Sequence, residues 1–242
     1  MEFAMFTLEG GEQFLRWVHF LAGITWIGIL YFFNFIQGGW FKQVDANVKN
    51  TALTTLTLEC LWWFRWGAAL TWISGIILIK MKLILPDYGL TANSAWGVSI
   101  LPAALMGTFM AFNVWFIIWP AQRDKVIPSA QNALDGKEPI AGAAEAGALA
   151  GLASRTNTLF SIPLLFWMGA SRHLGIDVPE GQSLMAFWVV VLGIIVLIEL
   201  NVIAKWLGGK LGIMGPMATP KGVIHTGLAL SVVLYVLQEV LI

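Results

Sequence analysis

The sequence predicts an all-α polytopic integral membrane protein, about six transmembrane helices in one bundle. Three observations carry that prediction. Of 242 residues, 58% are hydrophobic and only 12% charged, about half the charge of a soluble domain of this length. Mean hydropathy is +0.76. The apolar residues also arrive in runs of about twenty, enough to cross a hydrocarbon layer of about 30 Å. In lipid such a run satisfies its own backbone as a helix.

The first crossing is expected near 13–37, closed by Gly38-Gly39. The leader MEFAMFTLEGGEQF has no basic stretch before it, so the crossing is expected to stay in the mature protein. The second lies near 58–80, before Pro86-Asp87, and the third near 96–119, closed by Pro120. The longest connection follows, PAQRDKVIPSAQNALDGKEPIAGAAEAGALAGLAS. Its Ala/Gly-rich second half either extends the fourth helix beyond the membrane or lies against neighbouring helices. The fourth crossing is expected near 155–173, before Gly175, the fifth near 183–204, before Gly208-Gly209, and the sixth near 222–242, after Pro220. Pro102 and Pro163 fall inside crossings, where a kink is expected. No internal repeat is visible, and residues 1–242 read as a single transmembrane domain.

Lysine and arginine set the orientation. The first, third and fifth connections hold nine, from Lys42 to Lys221, against four on the other side, Arg16, Lys80, Lys82 and Arg172. Those three connections are expected in the cytoplasm and both termini outside, in a bacterial inner membrane. The formal net charge is zero and no basic tract appears, which argues against nucleic acid as a partner. The one cysteine, Cys60, permits no internal disulfide, CxxC pair or CxxCH site for covalent c-type haem.

Polar residues inside apolar runs are the candidates for function. His19 sits just inside the outer end of the first crossing and His173 at the outer end of the fourth. On an ideal helix His19, Gly23 and Trp26 share a face, and Gly169 lies four residues before His173. A histidine beside a glycine leaves a flat place for a macrocycle, and imidazole ligates haem iron, so the pair could hold one b-type haem. The alternative is an imidazole bonded to a carbonyl, a headgroup or water. A second polar layer, Arg65, Asn113, Asn157, Thr158, Glu199 and His225, falls toward the cytoplasmic side. It suits a polar substrate or proton movement, or a structural clamp with Arg65 paired to Glu199 between helices two and five. Trp40, Trp96, Trp119 and Trp206 form an interfacial belt. Trp62, Trp63, Trp66 and Trp72 crowd helix two and are expected to pack against other helices or a planar cofactor.

The phrases HFLAGITWIGILYFFNF, FRWGAALTWISG, NVWFIIWP, SRTNTLFSIPLLFWMGASRH and IHTG together resemble the N-terminal membrane domain of bacterial cytochrome-c-linked urate oxidase. That resemblance implies an inner-membrane oxidoreductase module passing electrons from urate to a periplasmic c-type cytochrome. In that family the cytochrome is commonly fused after the last crossing. This chain carries no CxxCH, so a separate c-type cytochrome or other membrane subunits are expected as partners. The His…Trp-Ile-Gly pattern of helix one is more weakly similar to haem-binding oxidases of porphyrin synthesis and copper-resistance membrane proteins. A non-catalytic subunit of an electron-transfer complex and a small-anion or metal transporter are the alternatives. The urate resemblance implies no catalytic residues that map onto this chain.

Overall fold

The structure, a computed structural model, describes residues 3–85, 90–174 and 176–242. Pro86-Asp87 and Gly175, read above as breaks between crossings, lie outside the described residues. Helix accounts for 83% of the chain, with no strand among the described residues.

Six long helices carry the architecture: α1 (Leu8–Trp40), α2 (Ala46–Ile84), α3 (Ala95–Leu134), α4 (Ala143–His173), α5 (Met185–Trp206) and α6 (Pro220–Leu241). Their starts are locally encoded. Thr7, Asp45, Ser94 and Thr219 each accept a hydrogen bond from the amide three residues on, caps worth about 1 kcal/mol apiece. Gly142 enters α4 with φ of 79°, a left-handed conformation that favours glycine. Between α3 and α4, Lys137 and Gln131 donate to Asp135, which holds its carboxyl below the usual carboxylate range.

Each expected crossing falls on one of these helices, but five of the six, all except α4, are long and apolar enough to span a membrane. The reason is its position. Packed between α3 and α6 and touching α1 and α5, α4 buries Thr156, Asn157, Thr158 and Ser161 completely. A helix surrounded by protein has no need of an apolar surface. Its Ala/Gly-rich first turns do both things the sequence left open: they prolong the helix and pack on α3, where Gly147 faces Val126.

Two expected breaks are not breaks. Gly38-Gly39 and Pro120 lie within continuous helix. Wide π turns over Phe32–Gln37, Leu53–Thr57, Asn113–Ile118 and Gln122–Val126 interrupt the ordinary ladder. Pro120 and Pro128 each stand two residues past the end of one of the last two. A π turn already leaves carbonyls out of register, so a residue with no N–H continues the helix at little cost.

Glycine sets the closest approaches. A Cβ on Gly67 would stand 3.2 Å from the Ala22 carbonyl oxygen and the Trp26 amide, and one on Gly75 3.1 Å from the His19 ring. These contacts seat α1 against α2. Gly227 does the same for α6 on α4 at Ile162. The tryptophans of α2, Trp62, Trp63, Trp66 and Trp72, are exposed on the helix surface, and two of them meet the expected neighbouring helix. Only edges touch neighbours, Trp66 against Trp115 at 5.4 Å and Trp72 Nε1 donating to Thr108 at 3.1 Å. A lipid-facing helix surface is where large apolar side chains with one polar edge sit without cost.

Candidate functional site

The most deeply buried polar group set joins α3, α4 and α5. Asn113 donates one Nδ2 hydrogen to Asn157 Oδ1 at 2.9 Å and the other to Glu199 Oε2 at 3.2 Å. Asn157 Nδ2 in turn donates to the Met110 carbonyl at 2.9 Å, a group in the turn before the π turn that Asn113 opens. Asn113 and Asn157 are fully buried and Glu199 is 1% exposed. Two acceptors are left over, Asn113 Oδ1 and Glu199 Oε1, neither with a partner.

Three members of the expected polar layer therefore meet, and three do not: Thr158, buried beside Asn157, donates instead to the Ser154 carbonyl of its own helix at 2.9 Å, and Arg65 and His225 lie apart. Arg65 makes no ion pair with Glu199. Its guanidinium lies 3.9 Å over the Trp119 ring, its Nε is buried without a partner, and its carbonyl accepts from Trp115 Nε1 at 3.0 Å. The cause is rotational: α2 packs on α1 and α3, so Arg65 meets the aromatic face of α3, where cation–π attraction replaces the carboxylate. His225 is exposed near the start of α6.

Buried polar contacts between helices extend past this cluster, through residues the sequence reading passed over. Tyr31 and Ser161 share a hydrogen bond at 2.9 Å, Asn34 Nδ2 donates to Ser154 at 2.8 Å, and Gln37 Nε2 donates to Thr57 at 2.7 Å. The same signal, a polar side chain inside an apolar run, was present in FFNFIQ.

At the end of the bundle that holds both chain ends, His19 turns toward α2. Ser74 donates its hydroxyl hydrogen to the Leu70 carbonyl at 2.6 Å, so it accepts at His19 Nδ1, 3.1 Å away. With the Ser74 hydrogen so placed, the tautomer that satisfies this contact carries its proton on Nδ1. This is the arrangement that orients an imidazole ligand. The rest of the expected haem seat is differently placed. Gly23 faces Thr71 of α2 and Trp26 is buried beside Gly67, so α2 covers that face. His173 is exposed at the end of α4. With α2 over that face, no flat seat for a macrocycle is left at Gly23. No group of three or more His, Cys, Asp or Glu among the described residues is placed to hold a metal ion.

One turn from His19 opens a cavity of about 350 Å³ lined by Glu9, Glu12, Gln13, Arg16, Lys82 and Arg172. Glu12 ties it together, bonded to Arg16 at 2.5 Å and to Lys82 at 2.9 Å. Arg172 adds a further cation from α4, beside His173.

Comparison with known proteins bears on the helices that build the buried cluster. The family described as urate oxidase N-terminal matches residues 83–208, more than half of the chain. The chain belongs to the urate oxidase N-terminal family. The matched span holds Asn113, Asn157 and Glu199, and the phrases NVWFIIWP and SRTNTLFSIPLLFWMGASRH. His19, Arg65 and His225 lie outside it. Searches of curated proteins and of solved structures find no match to the chain.

Proposed function

We propose that this chain is the membrane redox module of a urate-oxidising system in a bacterial inner membrane, delivering electrons to a c-type cytochrome on the outer face. The observation that carries the reading is the family match, whose span contains the whole buried amide–carboxylate cluster. The lysine and arginine bias puts the end bearing both chain ends outside, and with it the charged cavity.

That cavity is the better docking place for a urate anion than Arg65, Asn113 and Asn157. Asn113 and Asn157 are sealed from solvent, whereas Arg16, Arg172 and Gln13 line open space. Guanidinium groups answer the anion's charge and an amide side chain its ring edge. His19, one turn deeper, would hold the iron of a b-type haem through Nε2. Such a group supplies one-electron transfer toward the cytochrome. The role of this chain's residues there is to hold and orient: Ser74 fixes the tautomer, and Gly75 lets α2 approach the ring.

The test uses membranes from producing cells, given urate and a soluble ferricytochrome c. Urate-dependent cytochrome reduction is expected, with Arg172→Ala raising KM for urate about tenfold, a loss of about 1.4 kcal/mol in binding. The reduced-minus-oxidised visible spectrum should show a b-type α-band that His19→Ala abolishes. Wild-type membranes that contain the folded protein but neither consume urate nor reduce the cytochrome would overturn the reading.

A further inference from the structure

We infer that Glu199 is held as a neutral carboxylic acid and, with Asn113, forms a proton-binding site in the core of the bundle. The inference does not depend on urate being the substrate. It starts from a count of hydrogens. Asn113 Nδ2 has two, and both are placed, one on Asn157 Oδ1 and one on Glu199 Oε2. Asn157 Oδ1 is thereby satisfied, and Asn157 Nδ2 is engaged by the Met110 carbonyl. What remains is two buried oxygens without a donor, Asn113 Oδ1 and Glu199 Oε1. An ionised carboxylate leaves both orphaned. A single proton on Oε1 removes the charge and turns one of the two unpartnered acceptors into a donor, in a cluster where Asn113 Oδ1 is the acceptor still unsatisfied.

Charge supports the same conclusion. A carboxylate taken out of water needs a cation or a proton. The titratable groups that the neighbouring helices bring toward this end are Arg65 on α2, Arg123 on α3, Arg155 on α4, Lys205 on α5 itself and His225 on α6. None makes an ion pair with Glu199 among the described residues. Arg65 is committed to Trp119 and Arg123 to Asp124, His225 and Lys205 are exposed, and Arg155 on α4, whose Nη1 is buried without a partner, makes no ion pair with the carboxyl. With no cation paired to it, the buried carboxyl is answered by a proton. The clustering of polar side chains on α3, α4 and α5 around one carboxyl is thus the build of a site that stores a proton rather than of an interhelical ion pair.

The experiment is infrared difference spectroscopy of the full-length protein in lipid at neutral pH, before and after exchange into deuterated buffer. The carbonyl stretch of a protonated carboxylic acid lies well apart from that of a carboxylate and moves on deuteration. Wild type should show such a band, Glu199→Gln should lose it, and Asn113→Leu should shift its frequency because the partner of the acid is gone. Glu199→Gln replaces one neutral group by another of the same shape, so it should fold and retain wild-type helicity. Wild type without any protonated-acid band overturns the inference with no variant needed. So does a band that persists unchanged in Glu199→Gln.

Discussion

Gly227→Ala is the sharpest perturbation of the packing that holds α4 in place. A Cβ built there stands 2.5 Å from Ile162 Cδ1, 3.1 Å from its Cβ and 3.2 Å from its Cγ1. Carbon atoms rest at about 3.5–4.0 Å, so the end of Ile162 must retract by about 1 Å or α6 must lift off α4. Overpacking of that kind costs about 1–3 kcal/mol. Alanine returns up to about 1 kcal/mol through helix propensity. The net loss should be about 1–2 kcal/mol by the same two estimates. Ile162→Val deletes Cδ1, the closest atom, and by itself costs about 0.5–1.5 kcal/mol. The double variant should therefore be more stable than the sum of the singles by about 1 kcal/mol, a coupling that contacting residues show and distant ones do not. Unfolding of purified protein in mixed micelles by a denaturing detergent, followed by tryptophan fluorescence, measures all four forms. Additivity within about 0.5 kcal/mol, or a Gly227→Ala protein as stable as wild type, would refute the packing described for α4 and α6.

Other expectations follow from the polar contacts and from the surface. Asn157→Ala removes its bonds to Asn113 and Met110; at about 0.6–1.7 kcal/mol per buried membrane hydrogen bond, the same unfolding assay should read a loss of about 1–3 kcal/mol. Glu12→Ala separates α1 from Lys82 and leaves two cations beside each other. The pair is only partly shielded, so the loss should be on the order of 1 kcal/mol and shrink in high salt. Brominated lipid should quench the exposed Trp62 and Trp63 strongly and the enclosed Trp26 and Trp167 hardly at all. A Trp62→Phe/Trp63→Phe protein should then show clearly less quenching than a Trp26→Phe/Trp167→Phe protein.

Hydropathy placed an expected crossing on each long helix, because a run of apolar residues bounded by polar ones is a local property of the chain, whereas the punctuation at Gly38-Gly39 and Pro120 did not mark helix ends. Which polar residues would meet was legible in part. Asn113, Asn157 and Glu199 stood out for the same reason, as hydrogen-bonding groups in runs that lipid or protein would otherwise want apolar. Their contact at separations of 44 and 86 residues depends on how three helices are rotated about their axes. Charge sign suggested Arg65 for Glu199, yet sign carries no rotational information, and the guanidinium found Trp119 instead. The haem seat failed at Gly23 in the same way. Helical spacing correctly put His19, Gly23 and Trp26 on one face, but it could not say that the face would be filled by α2, with Thr71 opposite Gly23. The π turns were invisible because they follow from where polar side chains and prolines fall in a packed bundle, not from composition.

The long helix least apolar in sequence, α4, is the one around which the buried polar contacts are built. Hydropathy asks what a helix prefers when its surroundings are lipid, and α4 has protein on most sides. For such a helix a hydroxyl or an amide carries no penalty provided that its partner sits on a neighbour. Ser154 answers Asn34, Ser161 answers Tyr31, and Asn157 answers Asn113. Each of these pairs also fixes the depth and rotation of one neighbour relative to α4. The cluster at Glu199 is then held from three directions: α3 through Asn113, α4 through Asn157, and α5 through the carboxyl itself. Substituting apolar residues for Asn157 or Ser161 would raise the hydropathy of α4 and at the same time release what orients α1 and α3. Low hydropathy in a helix of spanning length, flanked by others that are strongly apolar, is therefore a positive sign of the interior position from which a polar site can be built.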